Sequence, residues 1–441
     1  MTDSLRRATA EAAARAGDPL SRAAAATADA ADPLAGFRAR FAIADPERIY
    51  LDGNSLGRLP LATRDRLAAI AAEWGERLVE GWTDWIDAPA RAGDLLAEHV
   101  LGARPGEVVV TDSVTVNLYK LVCAVLDARP AAAGAVPAAT GGDARPPAAA
   151  APAASGGDAG RPALVTDRGN FPTDRHVLEG IAARRGLELR LFDGAPDAAT
   201  LPCGRGDIVV LAHVDYRTAQ LADLPALQAA VTERGATLIW DLSHSAGAVP
   251  IGLHAAGAEL AVGCTYKYLN AGPGAPGYLY VAAELQPRLR SPIWGWFAQR
   301  DQFAMERDHD PDPSVRRFLA GTPSILGLAA VEEGARLTGE AGIARLAAKA
   351  AAQTELLIAL HDAWLAPLGF TLASPCDPAR RGSHVALRHP DGRGIAAAMI
   401  ERAGVVPDFR DPDVIRLAVA PLYTRFVDVW DGLDRLRRLA A

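Results

Sequence analysis

Lysine is nearly missing from this 441-residue sequence, although basic residues as a class are common. Lys120, Lys267 and Lys349 are the only lysines among 46 basic residues, and the other 43 are arginines. A compositional bias toward alanine, arginine and glycine accounts for the scarcity, so a remaining lysine is a candidate for chemistry that arginine cannot perform. Lys120 and Lys349 stand in no motif, and we expect them to be ordinary lysines on helix surfaces.

Features that mark several other classes of protein are missing too. No apolar run reaches the roughly 18 residues of a transmembrane helix, and the first 30 residues contain no apolar stretch typical of a signal peptide. Asp3, Glu11 and Asp18 argue against an organellar transit peptide. The four cysteines form no C-x-x-C pair, which argues against a zinc finger or a disulfide framework and leads us to expect a cytoplasmic protein. The net charge of −7 argues against nucleic-acid binding.

Motifs of common hydrolases and nucleotide-binding proteins are also absent. The sequence contains no G-x-S-x-G, no H-E-x-x-H, no G-x-x-x-x-G-K-[ST] and no G-x-G-x-x-G after a strand. The acidic segment Asp308-His309-Asp310 has no matching cluster of ligands elsewhere, so we interpret it as a solvated loop. We therefore expect no metal site.

Short apolar runs alternate with helical or turn segments through the first two thirds of the chain. Half of the residues are apolar and 22% are charged, which is a globular composition, and the length favours two domains. Short buried strands that alternate with helices predict a mainly parallel sheet flanked by helices, and hence an α/β domain. The predicted strands are residues 107–111, 163–166, 187–192, 207–212, 237–240, 260–264 and 278–281.

The sequence predicts three divisions of the chain. Residues 1–50 form an N-terminal helical segment that packs with the small domain, residues 51–320 form the large domain, and residues 321–441 form a smaller α+β domain. Within the small domain we predict a long helical tract over 325–366, strands at 384–387 and 414–418, and helices over 394–403 and from about 425. Residues 129–161 consist almost entirely of Ala, Pro, Gly, Asp and Arg, which predicts a flexible surface insertion.

Asp241 and Lys267 each follow a predicted strand, at the edge of the sheet where α/β folds bind ligands. Asp241 by itself could cap a helix, and Lys267 by itself could be a surface lysine. Together they are the pair that pyridoxal phosphate requires, since a desolvated amine attacks the cofactor aldehyde and a carboxylate keeps the ring nitrogen protonated. We therefore predict a pyridoxal-phosphate site.

Two further segments follow strands and could complete such a site. Asp112-Ser113-Val114-Thr115 opens a helix, so its free backbone N–H groups and hydroxyls could bind a phosphate, although an ordinary helix cap explains the same residues. Phe171-Pro172-Thr173-Asp174 opens another helix, and Phe171 could stack on a pyridine ring, or simply belong to the core.

These residues belong to a larger pattern that resembles the kynureninase family, which are pyridoxal-phosphate enzymes of the aspartate-aminotransferase-like fold, also called fold type I. The resemblance runs from about Tyr50 to the C-terminus, apart from residues 129–161. The segments that carry it, in chain order, are 51–57 (LDGNSLG), 170–174 (NFPTD), 240–247 (WDLSHSAG), 264–270 (CTYKYLN), 295–297 (GWF), 321–323 (GTP), and 415–416 (IR) with 421–423 (PLY).

The resemblance implies a role for each matching residue. Lys267 would bond to the cofactor aldehyde, Asp241 would pair with the ring nitrogen, and Arg416 would bind the substrate α-carboxylate. Asn54 and Ser55 would line the aromatic end of the substrate pocket. The residues implied at the cofactor's phosphate and ring are Val114, Thr115, Phe171, Pro172, Thr173, Asp174, His244, Tyr266, Trp296 and Thr322. The family often has a hydroxyl residue where this chain has Ala212, which leaves that cofactor contact open.

The implied reaction is the hydrolysis of L-kynurenine to anthranilate and L-alanine, with 3-hydroxykynurenine as a further candidate substrate. The substrate amine would displace Lys267, which then removes the Cα proton, and Tyr266 is the candidate acid for the β-carbon. The resemblance also implies a homodimer, with Trp296 and Thr322 reaching the site from the second subunit. Alternatives are a cysteine desulfurase-like lyase that uses Cys376, and a non-catalytic sensor built on the same scaffold.

Overall fold

The computed structural model describes residues 18–129, 161–303, 305 and 308–441. The first 17 residues of the N-terminal helical segment predicted over residues 1–50 lie outside these ranges, as does the Ala/Pro/Gly-rich insertion except for its first and last residues. Within the described ranges, no helix combines the length and apolar character needed to cross a bilayer.

Strands and helices alternate along the described chain. The strands are β1 (Ile49–Tyr50), β2 (Val108–Val110), β3 (Ala163–Asp167), β4 (Glu188–Phe192), β5 (Ile208–Ala212), β6 (Thr237–Asp241), β7 (Leu260–Gly263), β8 (Tyr278–Val281), β9 (Thr371–Leu372), β10 (His384–Arg388), β11 (Val405–Val406), β12 (Asp408–Arg410) and β13 (Val414–Ala418). The helices are α1 (Arg22–Ala30), α2 (Leu61–Arg77), α3 (Trp82–Trp85), α4 (Ala88–Leu96), α5 (Val114–Asp127), α6 (Pro172–Arg185), α7 (Leu224–Glu233), α8 (Ile325–Ala341), α9 (Ile343–Leu360), α10 (Gly392–Ala403) and α11 (Phe426–Ala440).

The larger sheet has seven strands in the order β2-β8-β7-β6-β5-β3-β4. Strands β4, β3, β5, β6 and β7 pair in parallel, whereas β8 is antiparallel to both of its neighbours. The mainly parallel sheet predicted from the sequence is confirmed, and the predicted strand ends differ from the observed ones by no more than one residue. The agreement is close because strands buried on both faces are short apolar runs with clear ends.

Helices cover both faces of this sheet, and the strand residues alternate between the two covering layers. Val108 and Val110 pack in one apolar cluster with α4, α7 and α8, whereas Val109 packs in a second cluster with α5 and α6. Trp240 of β6 lies in the first cluster, and its neighbour Ile239 lies in the second. Successive strand side chains point to opposite faces, so one apolar run supplies residues to two cores.

A second sheet of four antiparallel strands, in the order β12-β13-β10-β9, forms the core of the C-terminal part. Helices α9, α10 and α11 supply apolar residues to the cluster that covers it. The N-terminal part also contributes, since β1 pairs in parallel with β11 and α1 packs through Ala25 and Ala28 against Phe426 and Val427. The short strands β9, β11 and β12 have no counterpart among the sequence predictions.

The helical tract predicted over 325–366 is confirmed as helical, but the chain turns at Gly342, which divides the tract into α8 and α9. Gly342 has φ +82° and ψ 123°, which a residue with a Cβ adopts only under strain. The two helices belong to different layers, since Leu328 of α8 packs with the large sheet and Leu357 of α9 packs with the small one. The chain thus packs on the large sheet before Gly342 and on the small sheet after it. The predicted domain boundary lies earlier, between residues 320 and 321.

The expectation that Lys120 and Lys349 are surface residues is also wrong. Lys120 is 0% exposed and Lys349 is 3% exposed. The Nζ of Lys120 lies 2.5 Å from an Asp112 oxygen, and the Nζ of Lys349 lies 2.7 Å from an Asp32 oxygen. Each amine also donates a hydrogen bond to a backbone carbonyl, and these partners come from distant parts of the chain, which a sequence pattern does not reveal.

We expect Gly342→Ala to destabilise the protein by about 1–3 kcal/mol, because the new Cβ strains the backbone at this turn. Steric conflict is not the cause, since an added Cβ would meet only the Arg345 side chain, at 3.5 Å. Gly180→Ala is the matched control: Gly180 lies inside α6 with open space around it, and alanine there should stabilise by up to about 1 kcal/mol. Urea unfolding of the two variants should shift in opposite directions, and equal shifts would contradict the backbone argument.

Candidate active site

A cavity of about 560 Å³ opens at the carboxyl ends of β6 and β7 and beside the start of α5. Asp241 is the last residue of β6, and Lys267 lies four residues after the end of β7. Ten of the residues singled out from the sequence line this cavity together: Val114, Thr115, Phe171, Thr173, Asp174, Asp241, His244, Tyr266, Lys267 and Thr322. They come from five separate parts of the chain, so the tertiary fold creates the cluster.

Lys267 lies at the centre of the cavity wall and is 8% exposed. Its Nζ is 3.3 Å from Nδ1 and 3.2 Å from Nε2 of His244. Because these distances are nearly equal, the amine lies beside the imidazole ring and is not directed at one of its nitrogens. The amine also faces the ring of Phe171, with 5.8 Å between Nζ and the ring centroid. Burial lowers the pKa of Lys267 from its ordinary value, although Cys264 and Asp241 oppose that shift. A lowered pKa favours the neutral amine, which is the nucleophilic form.

His244 provides an uncharged wall beside this amine. Burial, together with the positive charges of Lys267 and Arg416, holds the pKa of His244 well below its ordinary value. The imidazole is therefore neutral near pH 7, and it adds no charge that would compete with the amine.

Asp174 and Asp241 form a pair of adjacent buried carboxyls on the wall of the cavity. Asp174 is 0% exposed, and neither of its oxygens has a hydrogen-bond partner among the described residues. One oxygen of Asp241 accepts a hydrogen bond from the Ser243 backbone N–H at 2.7 Å. Burial and the negative charge of Asp241 raise the pKa of Asp174 well above its ordinary value. Within this pair, Asp174 is an acceptor that lacks a donor among the described residues.

The other end of the cavity is the N-terminus of α5. Ser113 caps this helix, and its Oγ accepts a hydrogen bond from the Val116 backbone N–H at 3.3 Å. The preceding backbone N–H groups, those of Val114 and Thr115, lie in the first turn, where a helix has no internal acceptors. With Thr322 and Tyr266 on the opposite side, this end presents the donors that suit an anionic group. Burial raises the pKa of Tyr266, so its phenol stays protonated.

The turn at residues 51–57 packs directly on the segment that carries Lys267. The Gly57 N–H donates to the carbonyl of Tyr266 at 2.8 Å, and a Cβ at Gly57 would collide with the carbonyl oxygen of Lys267. This close approach places Asn54 and Ser55 near the site, although neither lines the cavity itself. Asn54 is 0% exposed, and its amide has no hydrogen-bond partner among the described residues.

Arg416 is buried in β13 and is held from three sides. Its Nε donates to Asp408 at 2.5 Å, Nη1 donates to the Tyr216 carbonyl at 2.5 Å, and Nη2 donates to the Ser55 hydroxyl at 3.2 Å. Asp408 lies directly across from Arg416 in the pairing of β12 with β13. Sequence reasoning missed Asp408 and Tyr216, since a cross-strand pair and a backbone carbonyl leave no motif.

Asp52, in the same turn as Asn54, was also missed. Burial raises the pKa of Asp52 to about 6, with the Ser55 hydroxyl and the Arg416 charge opposing that shift. One of its oxygens has no hydrogen-bond partner among the described residues. Asp52 belongs to the segment 51–57 that carries the family resemblance, but only the folded structure shows that its carboxyl is buried close to Arg416.

Besides Asn54, Ser55 and Arg416, four more of the residues considered for the site lie outside the lining of the cavity. Pro172 is the first residue of α6, and Trp296 is 38% exposed on a segment that hydrogen-bonds to Ala320. Cys376 is exposed on a loop. Ala212 lines a second cavity of about 940 Å³. Nowhere in the described part of the chain do three or more His, Cys, Asp or Glu side chains form a group that could hold a metal ion.

Asp174→Asn should stabilise the cofactor-free protein at pH 7. A carboxyl whose pKa is raised by folding contributes stability below about pH 4 and loses it as the pH rises toward the folded-state pKa. Asparagine removes this loss, so the melting temperature of the variant should exceed that of wild type by an amount that grows with pH between 4 and 8. Asp65→Asn is the control, because the Asp65 side chain is 67% exposed. A constant difference across this pH range would contradict the assignment of a buried, raised pKa to Asp174.

Two family models match the chain. The kynureninase C-terminal domain matches residues 346–436, and aminotransferase class-V matches residues 200–390.

Among solved structures, a C-DES mutant with glycine linked to its pyridoxal-phosphate cofactor is similar at a TM-score of 0.71 and 18% identity, covering 89% of this chain and 97% of that one. The cysteine desulfurase CsdA from Escherichia coli is similar at a TM-score of 0.71 and 16% identity, covering 92% of this chain and 98% of its own. At such low identity these structures show the fold alone, which is fold type I.

A curated relative is far more similar in sequence. The kynureninase of Pseudomonas fluorescens is 41% identical to this chain over 414 residues, which is 92% of each protein. The chain belongs to the kynureninase family, the pyridoxal-phosphate-dependent hydrolases of a carbon–carbon bond.

Proposed function

We propose that this protein hydrolyses the Cβ–Cγ bond of L-kynurenine, which yields anthranilate and L-alanine, and that the cavity beside Lys267 is its active site. The observation that carries this proposal is the buried Lys267 amine, which faces the Asp174 and Asp241 carboxyls in one enclosed space. Within a family of known chemistry, this constellation identifies where the chemistry takes place.

The lining residues fit pyridoxal phosphate at both of its polar ends. Asp174 offers two buried oxygens without a donor, which a protonated ring nitrogen would satisfy together with Asp241. The first turn of α5 offers backbone N–H groups to the phosphate. When bound, the cofactor accepts the electron pair that is released at the substrate α-carbon. The residues we propose to hold it are Lys267, Asp241, Asp174, Val114, Thr115, Phe171, Pro172, Thr173, His244, Tyr266, Trp296 and Thr322.

We assign the two proton transfers to Lys267 and Tyr266, because burial shifts the pKa of each side chain. Lys267, whose pKa is lowered, is neutral enough to take the α-proton of the substrate once the substrate amine has displaced it. Tyr266, whose pKa is raised, keeps its phenolic proton and can give it to the β-carbon after the bond breaks. Both side chains face the same cavity, so one base and one acid serve the reacting carbons.

Substrate orientation is assigned to Arg416, Ser55 and Asn54. The Arg416 guanidinium already donates to Asp408 and to a backbone carbonyl, so its orientation is fixed before substrate binds. Its Nη2 contacts the Asp408 carboxylate and also donates to the Ser55 hydroxyl at 3.2 Å, and we propose that the substrate α-carboxylate replaces this hydroxyl. Asn54, whose buried amide lacks partners among the described residues, would then bind the aromatic end of the substrate.

We also propose that the protein acts as a homodimer. Several large apolar side chains between residues 293 and 305 are exposed, and this segment hydrogen-bonds to Ala320, two residues before Thr322 of the cavity lining. An exposed apolar surface of this kind is typical of a protein interface. A second copy packed there would cover Trp296 and bring it to a site. The exposed side chains are Ile293, Trp294, Trp296, Phe303 and Met305.

The cysteine desulfurase-like alternative requires a cysteine that reaches the reacting atoms. Cys376 is exposed on a loop and is not part of the cavity lining. Cofactor-loaded protein should therefore form anthranilate from L-kynurenine, and Cys376→Ser should retain this activity. Release of sulfide and alanine from cysteine, with no anthranilate formed from kynurenine, would overturn the proposal. Parallel assays with 3-hydroxykynurenine would establish which substrate has the higher kcat/KM.

Lys267→Ala should abolish turnover, and Lys267→Arg should do so equally, because a guanidinium stays protonated and cannot act as the amine or the base. Both variants should still bind pyridoxal phosphate through the remaining contacts, as measured by equilibrium dialysis. Lys349→Arg is the matched control, since Lys349 is a buried lysine that is not part of the cavity lining. Anthranilate formation at the wild-type rate in Lys267→Ala would reject Lys267 as the reacting amine.

Arg416→Gln should raise the KM for kynurenine by at least about 30-fold, since the substrate carboxylate loses a buried charged partner. Arg410→Gln is the control, because Arg410 also forms an ion pair with Asp408, at 3.0 Å, but its side chain is 38% exposed whereas that of Arg416 is 1% exposed. Thermal unfolding would verify that both variants are folded. An equal change of KM in the two variants would remove Arg416 from its proposed role.

A further inference from the structure

Lys120 joins two segments that form the phosphate-facing end of the cavity. It lies on the inner side of α5 and is 0% exposed. Its Nζ donates to an Asp112 oxygen at 2.5 Å and to the carbonyl of Phe318 at 2.6 Å. Asp112 comes just before the N-terminus of α5, and Phe318 comes three residues before Gly321. One ammonium group therefore fixes both segments that border this end.

Without the charge of Lys120, the charged groups at this end of the cavity would repel an anion. Among the described residues that line the cavity, Lys267 is the sole Lys or Arg, and it belongs to the reacting end. Asp112 lines the cavity next to the N-terminus of α5, and its side chain is 30% exposed. An unpaired carboxylate there would repel a phosphate group at short range. The ammonium of Lys120, directly behind Asp112, cancels this charge.

Asp112 is also held in a backbone conformation that it does not favour. Its φ is +44°, in the left-handed region, and its carbonyl accepts a hydrogen bond from the Gly277 N–H at 2.7 Å. Its carboxylate accepts from the Thr111 hydroxyl at 2.9 Å as well as from Lys120. This conformation orients the first turn of α5 toward the cavity, so the ion pair helps to aim the free backbone N–H groups.

We propose that Lys120 is a positioning residue for phosphate binding: it neutralises Asp112 and ties the start of α5 to the 318–321 segment, so that the phosphate group of the cofactor binds there. The proposal rests on the cofactor placement under the proposed function. It predicts that loss of the Lys120 charge weakens binding through the phosphate alone, because the ring end of the cavity is untouched.

Pyridoxal phosphate and pyridoxal, which lacks the phosphate, are the two probes. Tryptophan fluorescence of the apoprotein would be titrated with each probe, for wild type and for Lys120→Met. We expect the variant to bind pyridoxal phosphate at least about 30-fold more weakly, as is typical when a buried charge loses its partner, and to bind pyridoxal within about 3-fold of wild type. Lys120→Gln carries the same expectation if Lys120→Met does not fold, since glutamine keeps a donor for the Phe318 carbonyl but not the charge.

Two further variants separate charge from packing. Lys120→Met/Asp112→Asn removes both charges and should recover affinity for pyridoxal phosphate to within about 5-fold of wild type, since no unpaired carboxylate remains. Lys349→Met removes the other buried lysine, which also contacts a carboxylate and a backbone carbonyl. It should lower the melting temperature and leave affinity for both probes unchanged.

Equal weakening of both probes in the Lys120 variants would show a merely structural role and overturn the proposal. Unchanged affinity for pyridoxal phosphate would overturn it as well, as would a double variant no better than Lys120→Met. These outcomes differ from failure of the proposed function, in which the wild-type protein itself would bind neither probe.

Discussion

Burial of ionisable groups at the carboxyl edge of a parallel sheet is the constraint on which this site depends. Lys267, Asp174 and Asp241 are removed from water by the strands and loops around them, and burial is the largest cause of the altered pKa values of Lys267 and Asp174. An exposed lysine would remain protonated near pH 7 and could not react as a nucleophile. Desolvation therefore connects the apolar core of the protein to the chemistry of its cavity.

The same constraint explains how this arginine-rich chain uses its few lysines. Each of the three is nearly or fully buried, and each contacts groups from distant parts of the sequence. Lysine suits such positions because its compact ammonium can be satisfied by one carboxylate and one carbonyl, whereas the planar guanidinium of arginine needs more acceptors and more space.

Prediction from the sequence succeeded where the signal is local. The strands of the large sheet were located to within one residue, because each contains a short apolar run and most of these runs end at polar or glycine residues. The helical tract over 325–366 was less well predicted, since both α8 and α9 are rich in alanine and leucine and only the backbone of Gly342 separates them. The surface assignment of Lys120 and Lys349 failed because burial depends on what packs over a helix, which the helix sequence does not specify.

By itself, the sequence determined the strands of the large sheet, the motifs that resemble one enzyme family, and the candidate pair of Lys267 and Asp241. Only the tertiary structure decided which side chains share a cavity, that Asp174 has no partner there among the described residues, and that Asp408 holds Arg416 across a strand pair. The reason is physical. Secondary structure follows from patterns within a few residues, whereas desolvation, ion pairing and the pKa values they set depend on groups brought together from hundreds of residues apart.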